Sequence, residues 1–410
     1  MNSESMLTVE EAKEKVLASV QTLGVERVPL AESLNRVLAQ NVAPDYDIPP
    51  HDNSSVDGYA VRFEDVANAT EAEPCRLSVC EDIPAGTVPV HSVGTGQASR
   101  IMTGAMVPPG ANAVVMVENT VDHSLKAVGI TKPVTDGQNV RYVGEDVRKG
   151  HAVLLDHTVL GPGEIGLLAA FQKSFITTYR RPVVAILSTG DEIVDIDEPL
   201  TPGKIVNSNS YSLASLVRDV GGSPIVPKIL GDTEEAIKEG ILSVQHADVI
   251  LSTGGVSVGD YDYVKKVLVD LGADMKFWKV RMKPGKPLAF GILNGKPYFG
   301  LPGNPVSCMV SFLLFARPAL RKVMGHKDLH LPVVRARLSD DIKAGGDRRQ
   351  YLRAQLNYSN GSFIATAVSG QGSGMLSSMA GTNGLIIVDT GVTSVSAGSL
   401  VDALLMRSYP

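Results

Sequence analysis

Near its start the chain repeats apolar residues with a helical period. Val9, Ala12, Val16, Leu17 and Val20 fall at helical spacings, and Thr8 followed by Glu11 has the form of a capping box. Residues 30–42 predict a second helix. Proline and glycine then become dense, and short apolar runs such as residues 113–117 are separated by turn signals, so residues 46–142 read as a small β-rich module. From Arg181 the pattern alternates: strands are predicted at 183–187, 225–230 and 249–251. Between and after them come helical segments, marked by Leu213, Leu216, Val217 and Val220, by residues 233–246, and by Val264, Val267, Leu268 and Leu271. This βαβ succession predicts a mostly parallel sheet flanked by helices over residues 179–327. Asn304 and Pro305, as N-cap and first helical residue, open an apolar helix carrying Val306, Met309, Val310, Leu313 and Leu314. Strand-like runs at 333–338, 351–356, 363–367, 385–388 and 400–405 predict a C-terminal β-domain over residues 328–410. The fold class is α/β and multidomain.

Length and composition narrow the function. A chain of 410 residues exceeds what one core usually supports, hence several domains. A net charge of −6 argues against a general nucleic-acid binder, so any anion site must be local. Cys75, Cys80 and Cys308 are odd in number and lack zinc-type spacing, which fits a reducing, cytoplasmic setting without a disulfide framework. The N-terminus has no apolar signal region, and the longest apolar stretch, around residues 312–316, is too short to span a bilayer; no membrane role is expected.

In an open parallel sheet, ligands collect where strands end. Four predicted ends carry polar residues: Ser188-Thr189-Gly190-Asp191-Glu192; Gly231-Asp232; the run from Ser252 through Thr253, Gly254, Gly255, Ser257 and Gly259 to Asp260 and Asp262; and Pro302-Gly303-Asn304-Pro305. The glycine-rich loop has the composition of an anion cradle, with an ordinary strand-to-helix turn as the alternative. It has neither the Walker lysine spacing nor a GxGxxG pattern. Glu192, Asp232, Asp260 and Asp262 are hard oxygen donors suited to Mg²⁺, although singly each is as well read as a cap or a solvated acid. Lys279, Arg281, Lys283 and Lys286 place four cations beside that loop, with Pro284 and Pro287 holding the segment extended. Residues 52–60, including Asp57, and the Arg100 to Ala105 stretch with Thr103 read as loops. No Ser-His-Asp elbow or HExxH motif occurs.

Together these segments resemble the MoeA family of molybdopterin molybdenumtransferases, whose relatives include plant Cnx proteins and the gephyrin E domain. The resemblance spans nearly the whole chain. It is carried by PHDNSSVDGYAVR (50–62), RIMTGAMVPPGANAVVMVE (100–118), VRYVGEDVRKG (140–150), STGDE (188–192), TGGVSVG (253–259), KPGKP (283–287), LPGNPV (301–306) and SGQGSGMLSSM (369–379). His51, Val56, Met106 and Asn112 depart from the family's usual residues, without removing an expected ligand.

The resemblance implies four domains: a discontinuous first one (1–45 and 143–178), the β-rich second (46–142), the molybdopterin-binding third (179–327) and the C-terminal fourth (328–410). It implies a homodimer whose cleft joins the sheet domain of one subunit to the second domain of the other. The implied reaction takes adenylylated molybdopterin and molybdate, uses Mg²⁺ to hydrolyse the adenylate, and releases molybdenum cofactor and AMP. Partners would be the molybdopterin adenylyltransferase and other proteins of the pathway. Carried over by residue, Asp57 and Thr103 contribute from the second domain, Asp146 is another family carboxylate near the cleft, and Glu192, Asp232 and Asp262 are the acids that act and hold metal. Lys279 and Lys283 address molybdate or phosphate, with Lys286 beside them, and Pro302 and Pro305 shape the floor. Ser188, Thr189 and Gly190, with Thr253, Gly254, Gly255, Ser257 and Gly259, complete the binding set. A molybdopterin adenylyltransferase, a noncatalytic scaffold of the gephyrin type and tungstate in place of molybdate are the alternatives left open.

Overall fold

A computed structural model describes residues 6–122, 124, 126–254 and 261–406, with Tyr261 and Asp262 described in backbone only. The first helix, Val9–Ser19, starts as its capping box requires: the Glu11 N–H donates to Thr8 Oγ1 at 3.2 Å and the Thr8 N–H to Glu11 Oε2 at 2.7 Å. Its buried face of Val9, Ala12 and Val16 joins the core of the α/β unit.

No second helix spans residues 30–42; only Leu30–Glu32 makes a single 3-10 turn. Asn35 takes a left-handed backbone (φ 61°), and the N–H groups of Asn35 and Leu38 donate to Leu160 O and Thr158 O instead of along a helix. Arg36, Val37 and Leu38 are buried in succession, which no single helix face allows. This stretch packs with Val147, Leu154, Leu160, Leu168 and Ile176, and the strands Val25–Pro29 and Phe175–Tyr179 pair antiparallel.

Between them lies the β-rich module. Its six-stranded sheet has the order Ala113–Met116, Gly58–Val61, Gln97–Ile101, Cys75–Ile83, Ala127–Ile130, Thr120–Val121. Gly58 pairs with Ile101, so Asp57 and Thr103 emerge together at one end.

The α/β unit has a six-stranded sheet in the order Ser223–Ile225, Val183–Ser188, Val249–Thr253, Lys296–Leu301, Pro287–Leu293, Asp274–Lys279. The first four strands run parallel; Pro287–Leu293 is antiparallel to both neighbours. The strand expected at 225–230 is shorter and earlier, because Pro224 and Pro227 lack the N–H that a ladder needs. The helix expected at 233–246 runs Glu234–Ser243 and is capped by Thr233, whose Oγ1 accepts the Ala236 N–H. Ser188 pairs with Thr253 and Thr253 with Leu301, which aligns three strand ends.

The C-terminal strands Arg349–Ser359, Ser362–Ala367, Val333–Leu338, Leu400–Leu405 and Gly384–Val388 follow one another, and the last pairs back to the first, closing a barrel. Met282–Lys283 adds to it in parallel beside Arg349 and Gln350. The lysine-rich segment therefore stitches the α/β unit to the barrel. No helix among the described residues is long and apolar enough to cross a membrane.

Candidate active site

At the aligned strand ends lies a cavity of about 360 Å³, lined by Glu192, Asn207, Asn209, Thr253, Gly254, Pro287, Pro302, Asn304, Pro305 and Ser307 among others. Gly254 is at φ +92°, and a Cβ there would stand 2.4 Å from Thr189 O, so only bare backbone fits that wall. Ser188 and Thr189 are buried behind it. Ser188 Oγ lies 2.6 Å from Ser210 Oγ and 3.4 Å from Asn207 Oδ1, a hydroxyl-amide network that fixes the wall from inside. Gly190 lets the Glu192 carboxylate fold over it, since a Cβ would lie 2.7 Å from Glu192 Oε2. Cys308 reaches towards Thr253 Oγ1 at 3.8 Å, and burial pushes its thiol up to about 12, so it stays protonated and unreactive.

Asp232 is locked to Asp191: each accepts the other's backbone N–H at 3.2 Å. It does not line the cavity. Gly255, Ser257, Gly259 and Asp260 lie outside the described residues, as does the side chain of Asp262, which belongs to the helix Tyr261–Asp270. Among the described residues no three His, Cys, Asp or Glu side chains come together as a ready metal site.

The lysines expected to act as one cluster face different ways. Lys279 borders a separate opening of about 270 Å³ with Lys15 and Lys276, Lys286 is exposed, and Lys283 borders a third cavity of about 450 Å³ with Pro284, Lys343, Gln350, Arg353 and Gln371. The reason is that they end different strands: Lys279 closes Asp274–Lys279 of the α/β sheet, whereas Lys283 belongs to Met282–Lys283, which pairs with the barrel.

This third cavity holds the feature that sequence alone does not disclose. Arg353 is 0% exposed and has no carboxylate partner. Its Nη2 donates to Gly370 O at 2.9 Å and Gly372 O at 3.1 Å, while Nε and Nη1 meet no acceptor. Burial lowers its pKa, and the amide Nε2 of buried Gln350 is likewise without an acceptor. Asp341 also borders the cavity, with Oδ1 accepting the Ala397 N–H at 2.7 Å. A buried guanidinium with unused donors is costly unless an anion is brought to it. The same stretches of chain serve both cavities: Pro287 lines the first and Lys283 and Pro284 the third, and the loop held by Arg353 continues to Ser373, whose carbonyl accepts the Val306 N–H at 3.1 Å. Asn207, Asn209, Ser307, Gln350 and Arg353 lie outside the motifs. The Asn-Ser-Asn run before a helical pattern is a cap signal that marks the first two, whereas Arg353 in an alternating strand carries none.

In the β-rich module the Thr103 N–H and hydroxyl donate to Asp57 Oδ1 at 2.7 and 2.8 Å. The backbone donor first, then the hydroxyl, hold Asp57 below the usual carboxylate range. Asp146 is exposed nearby in sequence to the module's exit strand. Among the described residues no hydrogen bond or ion pair joins residues 52–142 to residues 179–406.

Three regions of the chain match one family in order. Residues 7–171 match the MoeA N-terminal region (domain I and II), 185–322 a probable molybdopterin binding domain, and 335–406 the MoeA C-terminal region (domain IV). The chain is similar to the molybdopterin molybdenumtransferase of Nostoc, 41% identical over 93% of this chain and 88% of that one. It is 35% identical to the one from Bacillus subtilis over 98% and 94% of the two chains. The crystal structure of the molybdopterin biosynthesis MoeA protein from Pyrococcus horikoshii superposes with a TM-score of 0.84 at 34% identity, covering 98% of this chain and all of that one. With this likeness over its whole length, and with the strand-end cavity built from the motifs that carry it, the chain belongs to the MoeA family.

Proposed function

We propose that this enzyme inserts molybdate into adenylylated molybdopterin, with release of molybdenum cofactor and AMP. The observation that carries the reading is the pair of cavities of different chemistry along the segment 283–287. The first is walled mainly by amides, hydroxyls and prolines, with the Glu192 carboxylate among them, which suits the heterocyclic part of a substrate. The Arg353 cavity offers the unused donors of Arg353 and Gln350 with the Lys283 cation at its border, which suits a compact dianion such as molybdate. The segment 283–287 borders both, so an oxyanion and a pterin dithiolene bound there would be neighbours.

Glu192 and Asp232 are oxygen donors of the kind that hold Mg²⁺ together with substrate phosphate, and Mg²⁺ needs only one or two carboxylates when phosphate completes its shell. The donor set therefore fits the ion without a ready three-acid cage. Bound there it would neutralise charge on the phosphoanhydride. The protein's own part is to bind and orient. An oxygen of molybdate or water attacks the molybdopterin-side phosphorus and the phosphoanhydride bond opens with AMP as leaving group. The two dithiolene sulfurs then bond to molybdenum as one Mo–O bond breaks: with molybdate as nucleophile that oxygen stays on the phosphate and the two thiol protons are released, and with water as nucleophile it leaves with the thiol protons as water. No covalent enzyme intermediate is required.

A homodimer accounts for the isolation of Asp57 and Thr103 from the sheet edge within one chain. Exposed Met116 and Val117 beside Asp57, and exposed Ile196, Leu200, Ile205 and Val206 beside the first cavity, are apolar rims suited to meeting across subunits. The test is incubation of purified protein with adenylylated molybdopterin, Mg²⁺ and molybdate. AMP release that depends on molybdate and yields active cofactor supports the reading; AMP release absent despite pterin binding overturns it in favour of a scaffold.

A further inference from the structure

Asn209 stands second in the helix Ser208–Val220, but the helix is capped by its neighbour: Asn207 Oδ1 accepts the Ser210 N–H at 3.2 Å. The Asn209 side chain is therefore free for another task. Its Nδ2 donates to Thr253 Oγ1 at 2.8 Å and to Gly303 O at 2.7 Å, using both amide protons. The orientation is forced, because turning the amide over would set Oδ1 against the Gly303 carbonyl, which cannot donate. Oδ1 is buried and meets no donor among the described residues, so the two donated bonds are the side chain's polar contacts there. They tie the end of the strand Val249–Thr253 to the turn that follows its neighbour Lys296–Leu301, two adjacent parts of the first cavity's wall. The walls approach closely: a Cβ on Gly303 would lie 3.7 Å from Gly254 Cα.

We propose that Asn209 is a positioning residue that clamps the Thr253 wall to the Pro302–Pro305 turn and so sets the width of the cavity for the substrate's heterocycle. The inference rests on the proposed function and adds a residue that acts on substrate binding rather than on the bond broken. Gly303 and Asn304 are exposed, so the turn has little packing of its own to hold it once the clamp is gone.

The test uses the full chain with Asn209→Ala and the isosteric Asn209→Asp. The carboxylate can still accept from the Thr253 hydroxyl but repels the Gly303 carbonyl. Binding of adenylylated molybdopterin without molybdate is followed by pterin fluorescence, turnover by AMP release, and folding by urea unfolding. Both variants should weaken binding and raise KM about tenfold or more, with kcat within about threefold and the urea midpoint unchanged. Adding Thr253→Val to Asn209→Ala should cost less than the sum of the two changes. Unchanged binding and KM in both variants, or losses that track the fraction unfolded, would overturn the clamp. A wild-type protein that neither binds nor turns over the substrate would instead overturn the functional reading beneath it.

Discussion

Asp57 and Thr103 show how one side-chain contact sets a charge. Two donors on a single carboxylate oxygen favour the ionised form, so Asp57 stays charged at all pH values above the ordinary carboxylate range. The folded-state pKa is depressed, so the stability this contact contributes is present above the unfolded value of about 3.9 and is lost as pH falls through the lower folded value. An acid limb in the activity profile between about pH 5 and 7 therefore belongs to another group. Thr103→Val should move the Asp57 pKa upward, measured by carboxyl NMR, and an unmoved resonance would contradict the geometry. Gly254 makes a second residue-scale case. Gly254→Ala forces a left-handed alanine against Thr189 O, costing about 1–3 kcal/mol in urea unfolding and closing the wall on the substrate. Substrate affinity should fall with it; wild-type affinity would show that this wall yields without consequence.

At the scale of elements, the sequence is legible where a local rule is strong. The capping box at Thr8 and Glu11, the helix periods after 208 and 261, and the C-terminal strand runs all appear in the structure. Thr8→Ala should cost about 1 kcal/mol of stability, read from the denaturant midpoint. Residues 30–42 form no helix because their burial is set from afar: Arg36, Val37 and Leu38 are buried in a row by partners more than a hundred positions away. The six-stranded sheet also holds Asp274–Lys279 and Pro287–Leu293, which flank the extended proline- and lysine-rich segment and which no reading of the period predicts, besides Lys296–Leu301, whose end is marked by Pro302-Gly303-Asn304-Pro305. Proline at the first position of Pro287–Leu293 leaves the ladder intact.

Across the whole molecule the site is assembled from parts that no local pattern unites. Motif residues predicted the first cavity because strand ends in a parallel sheet converge by topology. They did not predict the second, because Arg353 meets Lys283 only once the barrel recruits the strand Met282–Lys283. The separation of Asp57 from Glu192 leads to a test of assembly. If the cleft is shared between subunits, Asp57→Asn and Glu192→Gln should each be inactive alone. Mixed one to one with subunit exchange, they should regain roughly a quarter of wild-type sites, since half the dimers are hybrids with one intact cleft each. No recovery, with exchange shown by a labelled subunit, would place the whole cleft in one chain. The buried guanidinium of Arg353, with Nε and Nη1 unused among the described residues, is the place proposed for the oxyanion. Calorimetric titration of molybdate into the wild type and into Arg353→Met tests it directly: the wild type should bind one molybdate per chain and the variant at least about tenfold more weakly, whereas equal affinity in both would contradict it.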